Sequence, residues 1–189
     1  MVFAMICEEM GLIVGLCMVV AVLDTGLDSS HTAFSPDNFT SDHLGMTYQD
    51  VAAVVGKTVA NKQYGGLSVD DVYINEKVPF GYDYADNDPD VYSTHNNHGT
   101  HVSGVIVGKD DGITGVAPNA QLVIMKTFSD GQDTARSAWI LAALDEQNIS
   151  YTTGAEYTTL LAGFELVIRA GDFGAACKTL DMGQRRPVF

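Results

Sequence analysis

The chain has 189 residues, enough for about one domain, and 46% of them are hydrophobic against 18% charged. Such a composition can bury a core, which excludes a wholly disordered chain. The formal net charge of −14 repels phosphate backbones and argues against a nucleic-acid-binding protein.

The first predicted element is a buried strand. An uncharged apolar run, Met10 to Leu23, ends at the turn Asp24-Thr25-Gly26, and its second half is rich in β-branched residues. The run is shorter than the roughly 20 residues that span a bilayer. No positive charge precedes it, since the first Lys or Arg is Lys57, so we predict neither a membrane span nor a signal peptide. The strand is expected at Met18 to Leu23, with its end at Asp24.

A helix is predicted after a polar stretch without periodicity. Thr47 followed by Asp50 has the spacing of a capping box. Apolar residues then recur at helical spacing at Val51, Val54, Val55 and Val59. The segment Tyr64-Gly65-Gly66 is expected to end this helix.

A short strand is predicted at Val78–Tyr84, and an acidic loop follows it. A helix is expected to begin near His98. Gly99 and Gly104 in that helix predict close packing against a neighbour. The predicted apolar face holds Val102, Val105 and Ile106.

Another strand is predicted at Gln121–Phe128, after the turn Ala117-Pro118-Asn119. Asp133 can cap a helix that runs to about Gln147. The predicted apolar side of that helix holds Trp139, Ile140, Ala143 and Leu144. The alternation of strands and helices predicts an α/β fold with a parallel sheet.

The last part of the chain differs in charge. Residues 148–189 hold four acidic and four basic side chains, so the net charge of −14 belongs to residues 1–147. One amphipathic helix is predicted there from Leu160, Leu161, Phe164, Val167 and Ile168.

Two segments carry side chains suited to catalysis. Asp24 ends a predicted buried strand, and open α/β sheets place their sites at the carboxyl ends of strands. The string Asp-Thr-Gly also occurs in aspartic proteases, but there the context is all-β. His98 stands at a predicted helix start beside Gly99, which allows its imidazole to lie at the edge of a site.

Together these segments resemble the Asp and His signatures of the subtilisin-like serine proteases, the subtilases. The Asp signature is matched by Asp24-Thr25-Gly26-Leu27-Asp28 with His31 nearby, and the His signature, His-Gly-Thr-His-Val-x-Gly, by residues 98–104. The turn Gly-Val-Ala-Pro at residues 115–118 and the helix at 137–146 are similar to the family's next segments. Residues 77–88 look most like the cell-envelope proteinase branch.

The resemblance implies a three-layer, doubly wound parallel sheet of the subtilisin-like type, incomplete because the similarity stops near residue 147. It divides the chain into an N-terminal extension (1–17), the N-terminal part of a peptidase domain (18–147) and a divergent tail (148–189). By resemblance, His98 is the general base and Asp24 orients its imidazole. The family's nucleophile segment, Gly-Thr-Ser-Met-Ala, and its oxyanion-hole Asn have no match in these 189 residues.

The family implies a serine-type endopeptidase that cleaves peptide or protein substrates through an Asp-His-Ser triad, outside the cell or in the cell envelope. Without a nucleophile segment, we expect the isolated chain to be inactive. The chemistry requires no cofactor, and subtilases often carry structural calcium ions. An incomplete sheet exposes an apolar edge, from which we expect self-association.

The alternative is a non-catalytic peptide- or metal-binding pseudoprotease fragment. Its metal-binding form depends on His95, His98 and His101 and on the acidic loop after Asp83. Imidazoles spaced three residues apart turn around a helix and do not converge on one ion, so we predict no zinc site. Carboxylates of the acidic loop are ligands of the kind that calcium prefers, but a solvated surface loop is the simpler interpretation.

Overall fold

The computed structural model describes residues 2–5, 19–40, 44–130, 138 and 141–145. All of them lie in one compact unit, Met1–Thr159, and the second unit, Leu160–Phe189, lies outside the described residues. The predicted Asp133 cap, the side chains of Trp139 and Ile140 and the predicted helix near residues 160–168 also lie outside them. These expectations, and the proposed division at residues 17 and 147, stay predictions.

Strands and helices alternate along most of the described chain. The elements are β1 (Val2–Met5), β2 (Val19–Asp24), α1 (Tyr48–Val54), α2 (Val59–Tyr64), α3 (Val69–Val72), β3 (Phe80–Asp83), α4 (His98–Val107) and β4 (Gln121–Lys126). Residues 141–145 are helical, within the helix predicted up to residue 147. Strands β3 and β4 are shorter than predicted, and β2 ends at Asp24 as expected.

The strands form one sheet in the order β1-β2-β4-β3. β2, β4 and β3 run parallel, and their carboxyl ends are in register, with Asp24 and Asp83 on either side of Lys126. Parallel neighbours require crossover connections, and the intervening segments supply the helices. The predicted α/β fold with a parallel sheet is therefore confirmed.

The central strands are buried on both faces. Every residue of β2 and β4 is buried, as is typical of a parallel sheet that is covered on both sides. α4 packs against β2 and β4, and α3 packs against β3. Burial of each large aliphatic side chain in such a core stabilises the fold by about 1.5–3 kcal/mol. One cluster of this core includes Val20, Val22, Val78, Val107, Leu122 and Ile124.

The first strand, β1, is not predicted from the sequence. It lies within residues 1–17, for which only an N-terminal extension is expected. Val2–Met5 pairs antiparallel with β2, with Val2 opposite Val22 and Met5 opposite Val19. β2 therefore has a partner on each side, and β1 and β3 are the outer strands of the described sheet. Self-association through a sheet edge stays a prediction.

The capping box of α1 forms as predicted. Thr47 donates from N and from Oγ1 to Asp50 Oδ2 at 2.8 and 2.6 Å, and Asp50 N donates to Thr47 Oγ1 at 3.2 Å. The single helix predicted from the valine spacing is wrong, because Thr58 takes an extended conformation and caps a second helix. Gly65 ends that second helix with a φ of +87°, a conformation that favours glycine.

α4 begins at His98 as predicted, but its buried face is not the expected one. Val105 is 56% exposed, so its place in the predicted apolar face is wrong. The buried residues of α4 are Gly99, Ser103 and Val107, while Val102 and Ile106 pack against the core cluster. A spacing of four residues keeps the buried positions on one face, and Val105 lies on the opposite side of the helix.

In the described part of the chain, every helix lacks the length or the apolar character that a membrane crossing demands.

Candidate active site

Asp24 is held at the carboxyl end of β2. Its side chain is 3% exposed, and Oδ1 accepts a hydrogen bond from Thr25 N at 2.7 Å. The chain then turns at Gly26, whose φ of +114° suits glycine. A Cβ at Gly26 would lie 2.2 Å from Val91 O, so a larger residue could not occupy this turn.

His98 is the first residue of α4, and it contacts Asp24. The distance from His98 Nδ1 to Asp24 Oδ1 is 2.7 Å. A carboxylate only accepts hydrogen bonds, so Nδ1 donates and the neutral ring carries its lone pair on Nε2. The imidazole is 62% exposed, which leaves it accessible to a reacting group.

Hydrogen bonds from backbone N–H groups to threonine hydroxyls fix the relative position of the two motifs. Gly99 N donates to Thr25 Oγ1 at 2.9 Å, and Asp28 N donates to Thr100 Oγ1 at 2.8 Å. A Cβ at Gly99 would lie 2.2 Å from Gly26 O, so the close packing predicted for Gly99 is confirmed. The start of α4 can approach the Asp24 turn only because position 99 is a glycine.

The close packing predicted for Gly104 is wrong. Among the described residues, nothing outside the helix backbone would lie within 4 Å of a Cβ at Gly104. The helix therefore needs a glycine at its N-terminal contact with the Asp24 turn and tolerates a larger residue one turn later.

Lys126 ends β4 between Asp24 and Asp83, and its side chain is buried. Nζ lies 2.7 Å from Asp83 Oδ2, 3.7 Å from Asp86 Oδ2 and 3.8 Å from Asp130 Oδ1. Burial alone lowers the pKa of Lys126, but the three carboxylates, Asp83 foremost, raise it above its usual value. A stable positive charge therefore lies among these carboxylates at the carboxyl end of the sheet and offsets part of the local negative charge.

The acidic loop uses its carboxylates to organise its own backbone. Asp83 Oδ1 accepts from Ala85 N at 2.7 Å and from Asp86 N at 2.9 Å. Asp88 Oδ1 accepts from Asp90 N at 2.8 Å. These bonds and the buried ion pair of Asp83 give the loop a structural role beyond that of a solvated surface segment.

The three histidines suggested as metal ligands have different surroundings. His95 Nδ1 lies 2.6 Å from Thr94 Oγ1, His98 contacts Asp24, and His101 is exposed. Within residues 19–40, 44–130, 138 and 141–145, no group of three His, Cys, Asp or Glu side chains is arranged to hold a metal ion.

The supporting residues of the site are the ones that sequence patterns miss. Asp24 and His98 stand in recognisable motifs, whereas Lys126 and Asp130 do not. A lysine at the end of an otherwise apolar strand is the one local signal for Lys126, since a buried strand end rarely carries an unpaired charge. The carboxylate partners of Lys126 cannot be predicted from residue spacing in the sequence, because the contacts join two strands and two loops.

Comparison with protein families matches the region of the chain that holds the candidate site. The model of the Subtilase family matches residues 17–152. This range holds the Asp24 turn, α4 and β4.

Three relatives illustrate the similarity. A PII-type proteinase of Lactococcus lactis subsp. cremoris is 33% identical over 157 residues, which cover 77% of this chain and 7% of that protein. Subtilisin-like protease 1 of Plasmodium berghei is 29% identical, with 80% of this chain and 24% of that protein covered. The major intracellular serine protease of Bacillus subtilis is 30% identical, with 67% and 28% covered. The chain thus spans less than a third of the length of each of these relatives.

Proposed function

This chain belongs to the subtilase family, and we propose that it supplies the Asp-His part of a serine endopeptidase site. The observation that carries the proposal is the 2.7 Å contact between Asp24 Oδ1 and His98 Nδ1. Two side chains from distant segments are arranged as a buried carboxylate and an accessible imidazole, which is the arrangement needed for general base catalysis.

In the proposed mechanism, His98 Nε2 takes the proton of a serine hydroxyl as that oxygen attacks the carbonyl carbon of a peptide bond. The same nitrogen then gives the proton to the leaving amine. The carboxylate of Asp24 keeps the proton on Nδ1, so that Nε2 stays the acceptor, and stabilises the imidazolium that forms. Exposure of the His98 ring leaves room for the serine and the substrate.

The serine itself is the part that these residues do not supply. The 189 residues contain no Gly-Thr-Ser-Met-Ala segment, and the match covers 7% of the lactococcal proteinase. The names of the relatives, all proteinases or proteases, favour a peptidase over the non-catalytic alternative. The substrate class that we propose is accordingly peptides and proteins.

The first test uses residues 1–189 alone. We expect neither hydrolysis of a fluorescent casein nor labelling by a fluorophosphonate serine probe, because removal of the triad serine from subtilisin costs about a millionfold in kcat. Labelling that disappears on heat denaturation would show a nucleophile outside the family pattern and contradict this expectation.

The second test asks whether the dyad serves a serine. The DNA that flanks the coding segment is sequenced, and the polypeptide that carries both His98 and a Gly-Thr-Ser-Met-Ala segment is expressed. We expect His98→Ala to lower its kcat by about a millionfold and Lys77→Met, a buried lysine at the opposite end of the sheet, to leave kcat unchanged. Absence of that segment, or full activity of His98→Ala, would overturn the endopeptidase proposal.

Location and calcium stay proposals. The similarity of residues 77–88 to cell-envelope proteinases supports a place outside the cell or in its envelope, although one relative is named as an intracellular protease. A structural calcium ion is proposed from the family alone. Its test is the melting temperature with added calcium and with a chelator, where equal values contradict it.

A further inference from the structure

We propose that Asp130 is a positioning residue for His98, acting through Ser93 and Asn96 and held in place by Lys126. The inference rests on the proposed function, since His98 is the general base of that proposal. It concerns a side chain beyond the Asp and His motifs, on the loop that follows β4.

Asp130 holds two consecutive residues of the segment that leads to His98. Its Oδ1 accepts from Ser93 Oγ at 2.6 Å. Its Oδ2 accepts from Thr94 N at 3.1 Å and from Thr94 Oγ1 at 2.9 Å. The bond from Ser93 and those from Thr94 outweigh partial burial and lower the pKa of Asp130 well below its usual value. The carboxylate is therefore ionised at neutral pH and accepts from all three donors.

A chain of hydrogen bonds continues from this contact to His98. Because Ser93 Oγ gives its proton to Asp130, its lone pairs are oriented to accept from Asn96 N at 3.1 Å. The side chain of Asn96 then accepts from His98 N at 2.9 Å, and Asn96 O accepts from Thr25 Oγ1 at 3.4 Å. Asp130 is thus linked through Ser93 and Asn96 to the first residue of α4.

α4 depends on this chain because its own N-cap is weak. Asn97 occupies the N-cap position, with a φ of −93° and a ψ of 12°, and its side chain makes no capping bond. The His98 ring is 62% exposed, so packing contributes little to its orientation. Hydrogen bonds from the preceding segment therefore add to the contacts with the Asp24 turn in holding the helix start, and catalytic geometry tolerates displacements of only about 0.5 Å.

Lys126 connects Asp130 and the segment before His98 to the sheet. Its Nζ lies 3.8 Å from Asp130 Oδ1 and 2.7 Å from Asp83 Oδ2, and it donates to Tyr92 O at 3.4 Å. Its stem lies close to the Asp24 turn, since a Cβ at Gly26 would be 3.1 Å from Lys126 Cδ. Lys126 therefore contacts both the segment before His98 and the turn after Asp24.

The experiment measures hydrogen exchange in residues 1–189 by NMR, for the amides of His98 and Gly99 and for the His98 Nδ1 proton. Asp130→Ala and Ser93→Ala each break the chain of hydrogen bonds at a different residue. We expect exchange at these sites to become at least about tenfold faster in both variants, with the melting transition still cooperative. If Asp130→Ala fails to fold, Ser93→Ala alone decides.

Asp110→Ala is the matched control. Asp110 accepts from Gly112 N, Ile113 N and Thr32 Oγ1 at 2.8, 2.8 and 2.9 Å, so it also makes three bonds, but it lies on the loop after α4. We expect this variant to leave exchange at His98 and Gly99 within about twofold of the unmodified chain.

Unchanged exchange in Ser93→Ala, or equal acceleration in Asp110→Ala, would overturn the positioning role. Neither result depends on peptide hydrolysis. If no serine segment is found but exchange behaves as expected, the proposed function fails and the positioning role of Asp130 stands. Failure of the proposed function and failure of the positioning role can therefore be distinguished.

Discussion

Oδ1 of Asp24 and Nδ1 of His98 lie 2.7 Å apart, although 74 positions separate the two residues in the sequence. The contact exists because the backbone of Gly99 touches the backbone of Gly26, where a Cβ on Gly99 would come within 2.2 Å of a carbonyl oxygen. Rigid backbone on both sides of this contact makes it sensitive to a single methyl group.

Gly99→Ala is expected to separate the side chains of Asp24 and His98. The added methyl group collides with Gly26 O, and relief of the clash must move the start of α4 away from Asp24. We predict that the free energy of unfolding falls by about 2–3 kcal/mol. The NMR signal of the His98 Nδ1 proton, which depends on protection by Asp24, should also disappear. Urea unfolding and NMR measure the two effects.

Gly104→Ala is the control for that substitution in the same helix. No described residue outside the helix backbone lies within 4 Å of the new Cβ, so alanine brings only its higher helix propensity. We expect the free energy of unfolding to rise by about 0.5–1 kcal/mol. Equal destabilisation by the two substitutions would argue against a specific contact at Gly99.

Lys77 is expected to make stability depend on pH. Its Nζ donates to Pro118 O at 2.7 Å and to Ala120 O at 2.6 Å and lies 4.8 Å from the centre of the Phe39 ring. Burial, with a contribution from the charge of Lys109, lowers the pKa of Lys77 from 10.5 to about 7.

Between these two pKa values the unfolded chain binds a proton that the folded chain does not. The free energy of unfolding should therefore rise with pH across this window, by at most about 1.4 kcal/mol per pH unit, and the gain should be lost as the pH falls towards 7. Unfolding midpoints in urea at several pH values test this, with Lys77→Met as the comparison. Parallel pH curves for the two proteins would refute the assignment to Lys77.

Asp145 is expected to stabilise α2 from a distant segment. Its Oδ1 accepts from Val59 N at 2.5 Å, and its Oδ2 accepts from Ala60 N at 2.8 Å and from Tyr84 Oη at 3.0 Å. Asp145→Ala leaves these buried donors without their acceptor and should cost roughly 3 kcal/mol in urea unfolding. Tyr84→Phe removes only the bond from Tyr84 Oη and should cost less than half as much. A smaller loss for Asp145→Ala than for Tyr84→Phe would contradict this account.

Ser103→Ala is expected to raise stability. The hydroxyl of Ser103 is fully buried in α4 and has no hydrogen-bond partner among the described residues. Its replacement removes an unsatisfied polar group and should raise the free energy of unfolding by about 1 kcal/mol. Ser35→Ala is the opposite case, since Ser35 Oγ accepts from Asp37 N at 3.2 Å, and it should lower stability slightly. Destabilisation by Ser103→Ala would reveal a partner for its hydroxyl.

Short-range features could be predicted because their causes lie within a few residues. The capping box of Thr47 and Asp50, the end of α2 at Gly65 and the start of α4 at His98 all follow from local backbone and hydrogen-bond preferences. Predictions failed where burial decided the outcome. Val105 has the residue type of a core position but points away from the sheet, because the contact of Gly99 with Gly26 sets the rotation of α4.

The sequence by itself determined the family, the alternation of strands and helices and the two motif residues Asp24 and His98, because motif and periodicity are local properties of the chain. Only the tertiary structure decided that β1 pairs with β2, that Lys126 joins Asp83 to the loop before His98, and that Asp130 reaches Ser93. These contacts link segments tens of residues apart, and close packing of the sheet, α4 and the two loops brings their side chains within hydrogen-bonding distance.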